Sequence, residues 1–357
     1  MEDHSRRVRH AAFERCAAFT LVELMIALAI STVLIAAALA MYAHARNVYR
    51  TNERIARLQE QGRYALSVLE PDIEMAGYLG FTNVPDGIRL VRGAQPQVSL
   101  ATLAELRQFP ARAGDAFPAP VPGLPPNAHA CGVNFAVDLS MPVQGADGMF
   151  ATGRNPGTGC AAYQNRAQVG ADTLTLRRVS TRTTFAEPDR IQIYASRFGG
   201  GASHLLFADG TAPGPVDANH RIHDLVVRTY YVAQGSVGQP GVPALRVKSL
   251  TRSGTQATFA DEEVMHGIED LQIQFAVAQE QGGATRYVNP GHPDLESLRV
   301  VAVRVWLRVR AEAPDAQFAD HQTYRYANVE FTPTGAERNY RRVLISRTVA
   351  VRNARTF

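Results

Sequence analysis

The chain has 357 residues, of which 46% are hydrophobic and 20% are charged, and its formal net charge at pH 7 is +4. This composition supports a sizeable folded core and argues against wholesale disorder. Lys248 is the sole lysine, and Val247 precedes it. A P-loop is therefore excluded, because that motif needs Gly-Lys-Ser/Thr, and Lys248 remains the one candidate for Schiff-base chemistry. Three cysteines are too few for a disulfide-dense mini-scaffold.

The most informative segment is the apolar run over residues 19–41, FTLVELMIALAISTVLIAAALAM. As a helix it would be about 34 Å long, which is enough to cross the hydrocarbon core of a bilayer. A buried helix of a soluble protein is one alternative, and a signal peptide cut after Ala38-Leu39-Ala40 is another. The run is long for both alternatives, so we predict a transmembrane helix over 19–41.

Glu23 is the one charged residue in this run. It is a functional candidate because an ionisable group inside a membrane span is costly, although an interfacial side chain that snorkels to the surface is the alternative. Residues 18–26, AFTLVELMI, resemble the processing site of type IV pilins and type II secretion pseudopilins. This resemblance implies cleavage between Ala18 and Phe19, N-methylation of Phe19, and Glu23 as a subunit-assembly carboxylate. Ala18 departs from the glycine that normally precedes the cut.

The electrostatics of a low-dielectric environment support the roles that the resemblance implies for Phe19 and Glu23. Cleavage would create an α-amine on Phe19, and Glu23 of one subunit could pair with that amine in a neighbour. Arginines flank both ends of the span, so the positive-inside rule does not decide its orientation. The resemblance implies a cytoplasmic leader over 1–18, one pass through the inner membrane, and a C-terminal domain in the periplasm. The partners that it implies are prepilin peptidase, other minor pilins, the major pilin and the pilus assembly platform.

The cysteines are compatible with that location. Cys16 lies in the leader, so the mature chain would keep Cys131 and Cys160. We expect these two cysteines to form a disulfide in an oxidising periplasm. Two free buried thiols are the alternative.

Residues 42–81 predict an amphipathic helix that continues into the globular domain, because apolar residues recur at spacings of three and four. Pro71 should kink this helix or open a short new one, and Gly77 and Gly80 should end it.

Two runs in this helical region, RLQEQGRYAL at 57–66 and DIEMAGY at 72–78, resemble the PilW family of type IV pilus minor pilins. The resemblance is strong over about 18–81, patchy over 172–353 and absent over about 82–170.

The remainder divides into two parts by composition. Residues 82–170 are rich in proline and glycine, which predicts a loop region with few strands. Residues 171–357 predict an antiparallel sheet, most clearly at 299–310, where an aliphatic face alternates with a face of arginine and tryptophan. The predicted fold class is α+β and type IV pilin-like. A long N-terminal helix, half transmembrane and half amphipathic, packs on an antiparallel β-sheet with long loop insertions.

The sequence contains no recognisable group of catalytic residues. The sequence has neither G-x-S-x-G nor H-E-x-x-H, and on a strand His220 and His223 would point to opposite faces. We therefore predict no enzyme activity, no cofactor and no metal site. The arginine-rich end, 338–357, is interpreted as the solvated face of a last strand, in preference to a nucleic-acid-binding patch.

These features together predict a minor pilin that helps to initiate or cap a type IV pilus, in a structural, non-enzymatic role. Residues 82–170 could then display a surface for partners or adhesion. The alternatives are a J-type pseudopilin of a type II secretion tip complex, a DNA-binding or adhesive pilus-tip protein, and a membrane-anchored enzyme.

Overall fold

The computed structural model describes residues 20–82, 88–90, 120, 124–153, 158–198, 204–252, 259–278, 285–296 and 298–354. The chain forms two compact units, Met1–Arg54 and Ile55–Phe357. The leader over 1–18 and the predicted cleavage residues Ala18 and Phe19 lie outside the described residues.

One helix, α1, runs from Leu21 to Glu74. No new helix opens at Pro71, because the same helix continues for one more turn and Met75 N–H donates to the Pro71 carbonyl at 3.1 Å. Pro71 lacks the N–H that would bond one turn back, and three residues of α1 follow it. α1 ends at Glu74, before the predicted end at residue 81. Gly77 and Gly80 follow with φ values of 77° and 86°, a region that glycine enters without steric cost.

Fourteen strands follow in the described part of the chain. They are β1 (Arg89–Leu90), β2 (Val143–Ala146), β3 (Thr173–Thr183), β4 (Pro188–Ser196), β5 (His204–Asp209), β6 (His220–Ala233), β7 (Ala244–Leu250), β8 (Phe259–His266), β9 (Ile268–Ala278), β10 (Arg286–Val288), β11 (Arg299–Arg310), β12 (Tyr324–Tyr326), β13 (Val329–Phe331) and β14 (Arg342–Ala350).

The strands form two main sheets where a single antiparallel sheet was predicted. An eight-stranded sheet has the order β1-β5-β4-β6-β3-β2, with β7 added to β6 and β8 added to β7. A four-stranded sheet has the order β10-β9-β11-β14, and β12 and β13 form a separate hairpin. Among the described strands, every pairing is antiparallel except that of β1 with β5. The chain passes from the larger sheet to the smaller at Gly267, between β8 and β9.

The main core lies between α1 and both sheets. Leu66, Leu69 and Ile73 of α1 cluster with aliphatic side chains of β3, β6, β9 and β11. The helix approaches closely at Gly62, where an added Cβ would overlap the Ile345 side chain. Glycine at this position is about 1 kcal/mol less favourable for the helix than alanine. It allows α1 to pack closely against β14.

The opposite face of the larger sheet is covered by the proline- and glycine-rich region. Along β6, Tyr230 and Val232 belong to the core beside α1, whereas Leu225 and Val227 pack with Phe135 and its neighbours. Where it is described, this region contains short 3-10 turns and two short strands, β1 and β2. The predicted scarcity of strands over 82–170 agrees with this description.

Candidate functional site

The N-terminal turn of α1 is organised by Thr20 and Glu23. Thr20 N–H and Thr20 Oγ1 donate to Glu23 Oε2 at 3.0 and 3.1 Å, and Glu23 N–H donates to Thr20 Oγ1 at 3.3 Å. This reciprocal pattern is a capping box, which satisfies backbone donors that would otherwise have no partner at a helix start. In the single subunit, the Glu23 carboxylate is therefore held by its own chain at the first turn of the helix.

In the part of the chain that the structure describes, the apolar side chains of the N-terminal part of α1 are exposed. Leucine, isoleucine, valine and methionine side chains from Leu21 to Met41 are between 54% and 75% exposed. Among the described residues, α1 is the one helix that is long and apolar enough to cross a membrane. So large an exposed apolar surface requires cover by lipid or by other helices.

At its other end, α1 is fixed to the eight-stranded sheet through Asp72. The Asp72 side chain is 3% exposed, and its two oxygens pair with Arg178 at 2.9 Å and Arg228 at 2.7 Å. The Tyr230 hydroxyl donates to Asp72 Oδ2 at 2.5 Å. Burial and the adjacent Asp72 carboxylate raise the pKa of Tyr230, so its hydroxyl stays a donor. We call Asp72, Arg178, Arg228 and Tyr230 the helix clamp.

The helix clamp was not predicted from the sequence. Asp72 belongs to the run at 72–78 that carries the PilW resemblance, but the arginines and the tyrosine are more than 100 positions away. An aspartate in the last turn of an amphipathic helix, directly beside the apolar Ile73, was the available signal.

The two cysteines of the globular part are bonded. Cys131 and Cys160 form a disulfide with Cα atoms 5.0 Å apart, and both residues are almost fully buried. They pack in the same cluster as Phe135 and Val227. The bond thus ties together the region that covers the larger sheet.

The remaining chemical candidates have structural partners. His220 contacts Asp217 and stacks on Tyr194, whereas His223 donates to the Ser180 carbonyl at 2.8 Å, so the two imidazoles do not converge. Within the described ranges no group of three metal-ligating side chains occurs. Lys248 is buried and pairs with Asp261 at 2.7 Å.

The arginines near the C-terminus are mostly paired. Three of them form ion pairs at 2.8 Å. Arg342 pairs with Glu269, Arg347 with Glu70 of α1, and Arg352 with Glu74 of α1. This arrangement favours the interpretation of this segment as the last strand of a sheet over that of a polyanion-binding patch.

The comparisons with known proteins bear on both ends of the chain. Residues 15–39 match the family model of the prokaryotic N-terminal methylation motif. Residues 229–353 match that of the type IV pilus-assembly protein W, PilW. The chain is prepilin-like at its N-terminus and PilW-like in its C-terminal region. The PilW-like region contains the four-stranded sheet and the hairpin, whereas the runs at 57–66 and 72–78 lie outside the matched residues.

The other comparisons add little. A type IV-like pilin from Thermus thermophilus aligns with 51% of this chain and 79% of its own, at 15% identity and a TM-score of 0.26. A superposition at that score is not evidence for a shared fold. No curated protein matches the chain significantly. The α+β class rests on the observed helix and sheets themselves, and it confirms the prediction.

Proposed function

We propose that the chain is a minor pilin that helps to initiate or cap a type IV pilus and has no catalytic role. Prepilin peptidase would cut between Ala18 and Phe19, and Phe19 would then be N-methylated. The mature protein would be anchored in the inner membrane by residues 19–41, with Ile55–Phe357 in the periplasm. Other minor pilins, the major pilin and the assembly platform would be its partners.

The observation that carries this proposal is the capping box at the start of an uncovered apolar helix. Thr20 and Glu23 lie within the residues that match the methylation motif, directly after the proposed cut. The Glu23 carboxylate is the one charge in a surface that must be covered by lipid or by other helices. Transfer of this surface from lipid to a bundle of pilin helices would let Glu23 exchange its own Thr20 donors for the Phe19 amine of a neighbour.

The energetics favour such an exchange in an assembly. An ion pair in low dielectric is stronger than the same pair in water, whereas an unpaired charge there is costly. Among the described residues, the donors to Glu23 are the neutral N–H and hydroxyl groups of Thr20. A neighbour that supplies a cation would therefore stabilise the assembled state more than the free subunit.

The processing step is tested by determining the N-terminus of the protein extracted from membranes. We expect a mature chain that starts at N-methylated Phe19. An intact Met1 or a start after Ala40 would contradict the prepilin assignment. The Ala18→Gly variant restores the usual residue before the cut, and we expect it to be processed at the same bond.

A further inference from the structure

The outer face of the four-stranded sheet, which points away from α1, is only half covered. The β12–β13 hairpin covers the half that contains Arg308, since Tyr326 donates to Asp270 and the Arg308 guanidinium lies 3.7 Å from the Phe331 ring centroid. The other half consists of cross-strand rows in which Trp306 pairs with Ser346 and Arg304 with Thr348. Ser346 and Thr348 are exposed.

Three side chains form a stack on this open half. The Arg304 guanidinium carbon lies 3.9 Å from the Tyr287 ring centroid and 5.7 Å from that of Trp306. We call Tyr287, Arg304 and Trp306 the aromatic ladder. Stacking on aromatic rings orients a guanidinium while leaving its in-plane donors available for a planar anion.

Arg304 differs from the other outer-face arginines of β11 in its partners. Arg308 contacts Glu269 at 2.9 Å, and Arg310 contacts the same carboxylate at 3.6 Å. Arg304 instead donates from Nε to Thr348 Oγ1 at 3.2 Å. In the part of the chain that the structure describes, none of its recorded contacts is a carboxylate. Its charge is therefore available to a ligand.

The surroundings of the aromatic ladder are polar and small. Gln274 donates to Asn289 at 2.9 Å beside it, and the next cross-strand pair after Arg304 and Thr348 is Ala302 with Ala350. As far as it is described, this half carries no aliphatic cluster like those of the core, although tyrosine, tryptophan and arginine are also common at protein–protein interfaces. Amide and hydroxyl groups around an aromatic ring instead match a sugar, whose C–H face packs on the ring while its hydroxyl edges take hydrogen bonds.

We propose that the aromatic ladder and its polar rim bind an acidic carbohydrate. A sugar ring packs beside Trp306, and its carboxylate pairs with the terminal nitrogens of Arg304, a geometry that favours planar bidentate contacts. Among the described residues of this half, Arg304 is a cation without a carboxylate partner, and one such cation suits one carboxylate. A nucleic acid draws its affinity from many phosphate contacts at once, which this surface does not offer.

Trp306 is the only tryptophan in the chain and so reports directly on this surface. The full-length protein in detergent is titrated with an oligomer of galacturonic acid, with a neutral galactose oligomer of equal length and with oligo-dT. Tryptophan emission and calorimetry are both recorded. We expect saturable binding of the galacturonate oligomer, which Arg304→Gln weakens by about ten- to a hundredfold. Arg252→Gln, a matched loss of charge at an exposed arginine that pairs with Glu187, should leave binding unchanged.

Three results would each overturn the proposal. They are an absence of binding to the galacturonate oligomer, equal or tighter binding of the neutral oligomer or of oligo-dT, and an Arg304→Gln protein that binds as the wild type does. Tyr287→Leu is a second variant in case Arg304→Gln fails to fold, and it should also weaken binding in calorimetry. The assay uses solubilised protein and does not depend on pilus assembly, so its failure and that of the proposed pilin function are distinguishable.

Discussion

The Tyr230 hydroxyl on β6 donates a 2.5 Å hydrogen bond to Asp72 Oδ2 near the end of α1. Through this bond and two arginine pairs, the helix clamp joins the last turns of α1 to the eight-stranded sheet. The buried carboxylate is compensated by groups from β3 and β6, so the position of the helix depends on the larger sheet as well as on the smaller one.

Replacing Asp72 should destabilise the globular unit strongly. Asp72→Asn keeps the size of the side chain but leaves Arg178 and Arg228 without their counter-charge. We expect a loss of about 2–3 kcal/mol in the free energy of unfolding, somewhat below the value for a fully buried pair because Arg228 is 38% exposed. Chemical denaturation of the detergent-solubilised protein measures it.

The control for the helix clamp is Glu70→Gln. Glu70 pairs with Arg347 at 2.8 Å, but the arginine is 55% exposed, so this change should cost less than about 1 kcal/mol. Equal losses for Asp72→Asn and Glu70→Gln would show that the helix clamp does not hold the helix.

The disulfide should be present in the mature protein and should stabilise it. The chain-entropy model assigns about 3.5 kcal/mol to a closed loop of this length. We expect thiol labelling of the denatured, non-reduced mature protein to detect no free thiol, and Cys131→Ala/Cys160→Ala to lose stability by about that amount. Cys16→Ala is the control and should change neither result, because Cys16 is proposed to leave with the leader. Two reactive thiols in the periplasmic material would disprove the pairing.

Stability should depend on pH through Asp172. Its carboxylate accepts from Gly148 N–H and Ile273 N–H, each at 2.8 Å, and so joins the turn after β2 to β9. Burial raises the pKa of Asp172 to about 7, and the nearby carboxylates Asp147 and Asp270 add to the rise. Asn328 contacts Asp147, and Arg308 faces Asp270.

A folded-state pKa above the unfolded value means that the folded protein holds this proton more tightly. The contribution of Asp172 to stability is therefore complete below about pH 4 and is lost as the pH rises to about 7. We expect the wild type to lose more stability between pH 5 and pH 8 than Asp172→Asn does, as measured by denaturation at both pH values. An identical pH dependence in the two proteins would show that Asp172 does not titrate in this range.

The periodic elements were predictable from the sequence. The alternation in β11 puts Val303, Val305 and Leu307 in the core and Arg304 and Trp306 on the outer face, as expected. The spacing of apolar residues likewise predicted the buried face of α1. These predictions succeed because burial of one face is a local property of a helix or strand.

The division into two sheets and the helix clamp were not predictable in this way. The chain moves from one sheet to the other at a single residue, Gly267, between β8 and β9. A lone glycine in a strand pattern does not distinguish a change of sheet from a β-bulge. The partners of Asp72 lie on strands that are far away in the sequence. The spacing of apolar residues does not predict which polar side chains will pair. The aromatic ladder was missed for the same reason, since Tyr287 and Arg304 meet across β9.

The most direct test of the pilin account is the composition of sheared filaments from cells that express Glu23→Gln. Gln keeps the size of the side chain and removes the charge, so membrane insertion should become easier while pairing with a neighbouring Phe19 amine is lost. We expect Glu23→Gln to be processed and to reach wild-type levels in the membrane, yet to be absent from filaments and to reduce piliation. Glu60→Gln, at an exposed position further along α1, should assemble normally. Glu23→Gln subunits in sheared filaments at wild-type abundance, with normal piliation, would contradict the account.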